Sequence, residues 1–202
     1  MEKPAPADYP IHDLLRRRWS PRAFADQAVE PEKLRSLFEA ARWAPSSFNE
    51  QPWAFVVATK ENPEDQGLLL SCLIEGNQRW AQRAPVLVVS VAKLNFEKTG
   101  DPNRHAFHDV GLATGNLLVQ ATALGLVVHQ MAGFFPERVR ELYRVPEGFE
   151  PATAIAIGYP AEAASLPESL RERELAPRKR KSIGSFVFQG RWGETSPTVL
   201  AP

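Results

Sequence analysis

The hydrophobic pattern along the chain predicts helices alternating with strands. Apolar residues in the segment 31–45 recur at i, i+3, i+4 and i+7, which is the spacing of a helix with one buried face. Further helices are predicted over residues 11–18, 64–82, 106–123 and 136–143. Apolar runs typical of buried strands occur at residues 53–58, 85–91, 126–129 and 153–158. Strands separated by helices indicate an α/β or α+β domain with a central sheet.

The segment after Pro160 departs from this pattern. It mixes charged residues with proline and shows little periodicity, apart from the apolar run 185–188. A tail of this kind is either disordered or lies on another surface. With 202 residues, 44% of them apolar, the chain fits one domain over residues 1–202 and can build a real core.

Charge and cysteine content exclude several function classes. Lys and Arg number 24 and Asp and Glu number 24, and this neutral balance argues against a nucleic-acid or membrane-surface protein. The lone Cys72 excludes an internal disulfide framework and a cysteine-rich metal site. No apolar run approaches the roughly 20 residues that span a bilayer, and residues 1–8 lack the apolar core of a signal peptide. We therefore expect a cytoplasmic protein with no nucleic-acid or membrane partner.

The common nucleotide-binding and hydrolase motifs are absent from the sequence, including G-x-G-x-x-G after a strand and G-x-x-x-x-G-K-[ST]. His105, His108 and Asp109 have a spacing that could hold a metal, but no further His or Cys is placed to complete the shell. The favoured interpretation is that Asp109 stabilises its helix start through the macrodipole, while the histidines are polar surface or pocket lining.

Three polar segments are candidates for ligand binding. Four arginines lie within residues 16–22 beside Ser20, and guanidinium groups match phosphate oxygens, although a solvated helix end is an equal alternative. Residues 44–53 place hydroxyl and amide groups between a helix and a strand, which suits a flat polar ligand or a simple turn. The basic run 178–181 alone would be a solvated or nuclear-import-like charge run.

Taken in this order, the segments resemble the nitroreductase family of FMN-dependent oxidoreductases. The family motif R-x-S-x-R-x-F is matched by Arg18, Ser20, Arg22 and Phe24, and the loop A-P-S-S-x-N-x-Q-P-W by residues 44–53. Shorter matches follow at residues 75–77, 84–85, 115–116, 123–126, 132–134 and 156–160, with a basic stretch before the carboxyl terminus. The resemblance covers nearly the whole chain, and its first two motifs are specific in combination.

The resemblance implies an α+β fold, namely a three-layer sandwich with a mainly antiparallel mixed sheet among helices. It also implies an intertwined homodimer with one FMN in each of two interfacial pockets. Residues 161–202 would be a carboxyl-terminal extension that wraps the partner, and 186–188 could add a strand to the partner's sheet. The helix 106–123, rich in Gly and Ala, would lie in the dimer core.

The resemblance also implies which residues bind the cofactor. One group holds the phosphate and ribityl chain: Arg18, Trp19, Ser20, Arg178 and Arg180. A second group lies at the pyrimidine edge of the flavin: Arg22 and Asn77. A third group comes from the loop of the other chain: Pro45, Ser46, Ser47, Asn49 and Gln51. A fourth group forms the turn whose backbone amides face flavin N5 and O4: Met131, Ala132 and Gly133.

These implications lead to a functional hypothesis. The chain would take hydride from NADH or NADPH through FMN and reduce a nitroaromatic, quinone or similar electron acceptor by a ping-pong mechanism. No catalytic side chain is expected because the flavin carries the chemistry. Phe96, Phe107 and His108 are the candidates for substrate contact. Alternatives within the fold react the reduced flavin with oxygen or a halogenated aromatic, or bind flavin without turnover.

The sequence departs from the family pattern at the predicted site. Trp80 stands where some members carry a lysine near the pyrimidine, which leaves Arg22 as the main charge there. Ala132 stands where many carry a glutamate, and alanine can serve if the contact is made through the backbone. The loop 94–104, which should cap the flavin, is shorter than in classical nitroreductases.

Overall fold

A computed structural model describes residues 2–199. In chain order, its helices and strands are α1 (Asp13–Arg17), α2 (Pro31–Arg42), β1 (Trp53–Thr59), α3 (Pro63–Ser71), α4 (Glu75–Ala81), β2 (Val86–Lys93), α5 (Ala106–Ala123), β3 (Val127–Met131), α6 (Pro136–Tyr143), β4 (Phe149–Gly158) and α7 (Glu168–Leu175). Short 3-10 turns occur at Ser47–Asn49, Ala163–Ser165, Ile183–Ser185 and Pro197–Val199. No helix in the described range has the length and apolar character needed to cross a membrane.

The four strands form one antiparallel sheet in the order β1-β2-β4-β3. The register between β2 and β4 shifts between Ser90 and Val91, where Val91 faces Pro151. Proline cannot donate to a sheet ladder, and an irregularity of this kind accommodates it. Strand β4 therefore begins at Phe149, whereas the apolar pattern predicts a start at Thr153.

Both faces of the sheet are covered by helices, which explains why the strands are continuous apolar runs. In β2, Val86 and Val88 pack in a cluster with residues of α2 and α5. Leu87 and Val89 point the other way and pack with residues of α3, α4 and α6. The chain is thus a helix–sheet–helix sandwich, and the predicted α+β class is confirmed.

The predicted helix over residues 64–82 is wrong in one respect, because the structure divides it into α3 and α4. Between them the chain is extended, and the Ile74 amide donates to the carbonyl of Gly133 at 3.1 Å. Leu73 also forms an antiparallel bridge with Phe134. These contacts replace helical hydrogen bonds, and they place Asn77 in the first turn of α4, beside the turn that follows β3.

The tail after Pro160 is more regular than its pattern predicts. Helix α7 has the sequence ESLREREL, which lacks an apolar stripe and therefore gives no helical periodicity. The one residue that α7 buries is Glu174. Further along, Phe188 forms a bridge with Thr195 of the same tail. Addition of a strand by residues 186–188 to a partner's sheet stays a prediction.

Candidate functional site

The segment 18–22 follows α1 and lies against the tail. Arg18 Nη1 donates to Ser20 Oγ at 3.1 Å. Burial lowers the pKa of Arg18, and the nearby charges of Arg178 and Arg180 lower it further. Within residues 2–199, none of these three guanidinium groups has a carboxylate partner within salt-bridge distance. A cluster of cations without a counter-ion is suited to binding an anion.

Hydrogen bonds to backbone carbonyls join Arg178 of the tail and residues 3–5 to the end of α1, directly before this segment. Arg178 Nη1 donates to the carbonyl oxygens of Lys3 at 2.7 Å and Arg16 at 3.2 Å. The Ala5 amide donates to the same Arg16 carbonyl at 2.8 Å. The Lys3 ammonium also lies 5.1 Å from the centre of the Trp19 ring. Residues 3–5 and the tail at Arg178 are therefore both attached to the arginine cluster.

Arg22 is held by a carboxylate that the sequence does not mark as functional. The side chain of Glu174 is 1% exposed, and its oxygens accept the Arg22 amide at 2.9 and 3.0 Å. The Ala23 amide donates to it at 3.2 Å, and Arg22 Nη1 lies 3.8 Å from Glu174 Oε2. Burial lowers the pKa of Arg22, and the Glu174 charge opposes that shift. No motif reveals Glu174, because its helix is charged throughout.

A half-buried histidine supports the same segment from the side of the sheet. His129 Nδ1 lies 2.9 Å from the carbonyl oxygen of Pro21. Burial lowers the pKa of His129 to about 4, although the hydrogen bond to Pro21 opposes this, and the charges of Arg22 and Arg18 add to it. A neutral ring that donates from Nδ1 therefore holds Pro21. The His129 ring packs 4.6 Å from Trp80, which is itself buried.

The turn after β3 presents two backbone amides without an internal partner. Neither Ala132 nor Gly133 finds an acceptor for its N–H among the described residues, and Ala132 is exposed. Asn77 Nδ2 donates to the Gly133 carbonyl at 2.9 Å. A Cβ at position 133 would lie 2.5 Å from Ile74 Cδ1 and 2.7 Å from Asn77 Nδ2, so a side chain there would require Ile74 and Asn77 to move. The Met131 side chain is buried in the core, which leaves only its backbone near this turn.

The loop 45–51 is exposed at its tip and has a strained backbone. Phe48, Asn49 and Gln51 have φ angles of 52°, 56° and 52°. This left-handed region costs a residue other than glycine about 1–2 kcal/mol, and asparagine tolerates it best. Inside the loop, Ser46 Oγ accepts a hydrogen bond from the backbone amide of Gln51 at 3.0 Å. Strain of this kind is common at ligand-binding loops.

Two carboxylates, one in α5 and one in the loop itself, fix loop 45–51 to the rest of the domain. Asp109 of α5 is buried, and its Oδ2 accepts the Ser47 amide at 3.0 Å. Glu50 Oε1 accepts the Glu97 amide at 2.6 Å, which joins the loop to the segment after β2. Asp109 thus lies in the first turn of its helix, as predicted, and has an additional partner that the sequence does not indicate. Among residues 2–199, no group of three or more potential metal ligands is present.

The three predicted substrate contacts are Phe96, which contacts loop 45–51, and Phe107 and His108, which precede the Asp109 that binds this loop. The Phe96 ring is half-buried and meets the Phe48 ring edge-on, with 5.9 Å between ring centres. Phe107 and His108 are both exposed in the first turn of α5, next to Asp109. The structure therefore brings Phe96 to the loop and places Phe107 and His108 on the helix that anchors it.

The predicted cofactor-binding residues fall into three groups within this chain, one of which is the turn after β3 with Asn77, Met131, Ala132 and Gly133. Another surrounds the segment 18–22 and includes Arg18, Trp19, Ser20, Arg22, Arg178 and Arg180. The third is the loop 45–51, which carries Pro45, Ser46, Ser47, Asn49 and Gln51. Within residues 2–199, no hydrogen bond or ion pair joins segment 18–22 to loop 45–51.

The chain is thus an α+β protein with a cationic cluster of Arg18, Arg178 and Arg180. The Nitroreductase family profile matches residues 15–73 and 60–159. A crystal structure described as an oxidoreductase containing FMN has a TM-score of 0.88 and 38% identity, and the match covers 94% of this chain and 96% of that chain. The chain belongs to the nitroreductase family, which confirms the family and fold that the motifs predict.

Two curated relatives cover most of the chain. A putative NADH dehydrogenase/NAD(P)H nitroreductase of Methanothermobacter thermautotrophicus is 29% identical over 159 residues, covering 75% of this chain and 78% of the relative. An FMN reductase (NAD(P)H) of Bacillus subtilis is 28% identical over 161 residues, covering 71% of this chain and 63% of the relative.

Proposed function

We propose that this chain is an FMN-dependent oxidoreductase that takes hydride from NADH or NADPH and reduces a nitroaromatic, quinone or similar electrophile. The observation that carries the proposal is the cluster of Arg18, Arg178 and Arg180 without a carboxylate partner in the described chain. The second pKa of a phosphate monoester is about 6, so FMN presents nearly two negative charges that match this cluster. The relatives named for FMN and for NAD(P)H support the same cofactor and donor.

The other residues around segment 18–22, together with Asn77, fit the other parts of FMN. Ser20 and Trp19 would contact the phosphate and ribityl chain next to Arg18. The Arg22 side chain keeps 24% of its surface exposed, so it can face the pyrimidine edge near N1 and O2. Asn77 uses its Nδ2 for Gly133 and keeps Oδ1 for the same edge. Bound FMN supplies the hydride chemistry, and a fixed cation at Arg22 stabilises the negative charge of its reduced form.

The turn after β3 would orient the reacting edge of the cofactor. The unpartnered amides of Ala132 and Gly133 are donors for flavin N5 and O4, and Met131 contributes only through its backbone. Phe96 and Phe107 offer aromatic surfaces for an aromatic acceptor, with His108 beside them. We infer that donor and acceptor stack in turn on the exposed face of the bound flavin, which is a ping-pong mechanism without a catalytic side chain.

A homodimer would complete the site. Phe48 is 91% exposed and Trp43 is 72% exposed, and large apolar groups of this kind beside a strained polar loop are typical of an interaction surface. We propose that loop 45–51 of one chain lies on the flavin bound to the arginine cluster of the other, and that residues 161–202 wrap the partner. The single domain over residues 1–202 and a cytoplasmic location also stay predictions from the sequence.

The test begins with the visible absorbance of the purified protein and the identity of the released cofactor. We expect a yellow protein that releases FMN, oxidises NADH or NADPH with a quinone, and gives parallel lines in double-reciprocal plots. A colourless protein that takes up no added FMN would overturn the cofactor assignment. Bound FMN without NAD(P)H oxidation would instead favour a non-catalytic flavin protein, and a monomer by sedimentation would contradict the shared site.

A further inference from the structure

Glu174 places a buried negative charge beside a centre that is otherwise cationic. Removing a carboxylate from water costs several kcal/mol unless hydrogen bonds and opposite charges offset the loss. Here the amides of Arg22 and Ala23 both donate to it, and the Arg22 guanidinium lies 3.8 Å away. The carboxylate also acts electrostatically on Lys3, whose Nζ donates to the backbone carbonyl of Glu174 at 2.5 Å.

We propose that Glu174 is a positioning residue of the flavin site, which orients Arg22 and reduces the positive charge that Arg22 presents to the pyrimidine edge. This inference rests on the proposed function. The two amide contacts fix the backbone at residues 22–23, from which the guanidinium projects. At 3.8 Å the carboxylate attracts the guanidinium but lies beyond ordinary hydrogen-bond distance, so the donors of Arg22 stay available.

The electrostatic part of the proposal has a definite direction. A cation at N1 and O2 stabilises reduced FMN, because reduction leaves negative charge there. A carboxylate close behind that cation weakens the stabilisation, since the two charges partly cancel at the ligand. Glu174 therefore makes the bound flavin harder to reduce than an unpaired Arg22 would. A residue that only fastened α7 to the body would not change the potential in this way.

The test uses the full-length FMN-loaded protein and measures the midpoint potential of the flavin by equilibration with reference dyes. Glu174→Gln keeps the size of the side chain and removes its charge, and we expect a more positive potential. Arg22→Gln should lower the potential, because it removes the cation that stabilises the negative charge of reduced FMN. Glu172→Gln is the matched control, because it makes the same change at an exposed position of the same helix and should leave the potential unchanged.

An unchanged potential in Glu174→Gln would overturn the proposal and leave Glu174 a structural clasp. If Glu174→Gln retains too little FMN to measure, Glu174→Asp provides the second variant. Aspartate keeps the charge, so we expect the wild-type potential even where FMN affinity falls, and a positive shift in this variant contradicts the electrostatic role. Failure of the wild-type protein to bind FMN would overturn the proposed function instead, and the two failures are therefore distinguishable.

Discussion

Segment 18–23 and loop 45–51 both carry predicted cofactor-binding residues, yet the chain supports them in different ways. The first has no left-handed residue and rests on the buried Glu174 and the half-buried His129. The second has three left-handed residues, and its aromatic tip, Phe48, is almost fully exposed. One chain thus organises the first half of the site internally. The second half faces outward, as a surface that completes a site on another chain would.

The largest expected effect concerns His129, which supports segment 18–23 through the carbonyl of Pro21. The pKa of His129 is about 4, below its ordinary value of 6.5, so the unfolded chain takes up the proton first as the pH falls. Stability that is complete above pH 6.5 is therefore lost between about pH 6.5 and 4, by roughly 3 kcal/mol in total. His129→Asn keeps a donor for Pro21 but cannot titrate, so its free energy of unfolding should fall less over this range.

Urea denaturation at a series of pH values measures this difference. His108→Asn is the control, since it makes the same substitution at an exposed histidine outside segment 18–23. Identical slopes for the wild type and His129→Asn would show that His129 is not held neutral by the fold.

The next effect tests the arginine cluster. Arg18→Ala removes a charge-assisted contact to phosphate, which should weaken FMN binding roughly 10- to 100-fold. Quenching of flavin fluorescence during titration of the apoprotein measures the affinity. Arg17→Ala is the matched control, because Arg17 is paired with Asp13 at 2.7 Å and should matter little. Equal losses in the two variants would argue against a specific phosphate site at Arg18.

Arg22 should separate the two functions of segment 18–23. Arg22→Ala removes the charge at the pyrimidine edge, so we expect the rate of flavin reduction by NAD(P)H to fall more than FMN affinity does. Stopped-flow absorbance gives the rate, and the titration above gives the affinity. Arg18→Ala should show the reverse order, and similar changes in both assays for both variants would refute the division of roles.

The smallest expected effect concerns strain in loop 45–51. Glycine adopts a positive φ without the steric cost that Gln51 bears, although it loses more backbone entropy on folding. Gln51→Gly should therefore be more stable than Gln51→Ala by about 0.5–1 kcal/mol. Both variants lose the side-chain amide of Gln51 and keep the hydrogen bond from the backbone amide of residue 51 to Ser46 Oγ. The difference in their free energies of unfolding, measured by chemical denaturation, therefore reports the backbone cost at position 51. A more stable alanine variant would show that the loop relaxes away from the left-handed region.

Elements with a local signal are the ones that the sequence predicts well. Helices α5 and α6 have the predicted bounds, and α6 begins at Pro136, a residue favoured in the first turn. Each predicted strand exists because a run of β-branched residues fits a sheet covered on both faces. The single helix predicted over 64–82 fails because the chain breaks to pair with the turn at 133–134, a contact no local pattern contains.

The site follows the same rule. The resemblance places Arg18, Arg178 and Arg180 in one cluster, and the structure brings their charges together. Glu174 and His129 escape prediction because each acts on a backbone far away in sequence, and neither belongs to a motif. Polar residues of this kind become visible only when burial and partners are known, since their type alone is typical of the surface.

The hydrogen bond between Arg22 and Glu174 spans 152 residues, which has a consequence for synthesis of the protein. At about 5–20 residues per second, the segment around Arg22 leaves the ribosome roughly 8–30 seconds before its acceptor does. During that interval the nascent chain has the arginines of its amino-terminal half but not the carboxylate or the tail that arrange them. Capture of FMN is therefore expected only after α7 and the basic run 178–181 have been made, and a chain truncated before α7 is expected to emerge as apoprotein.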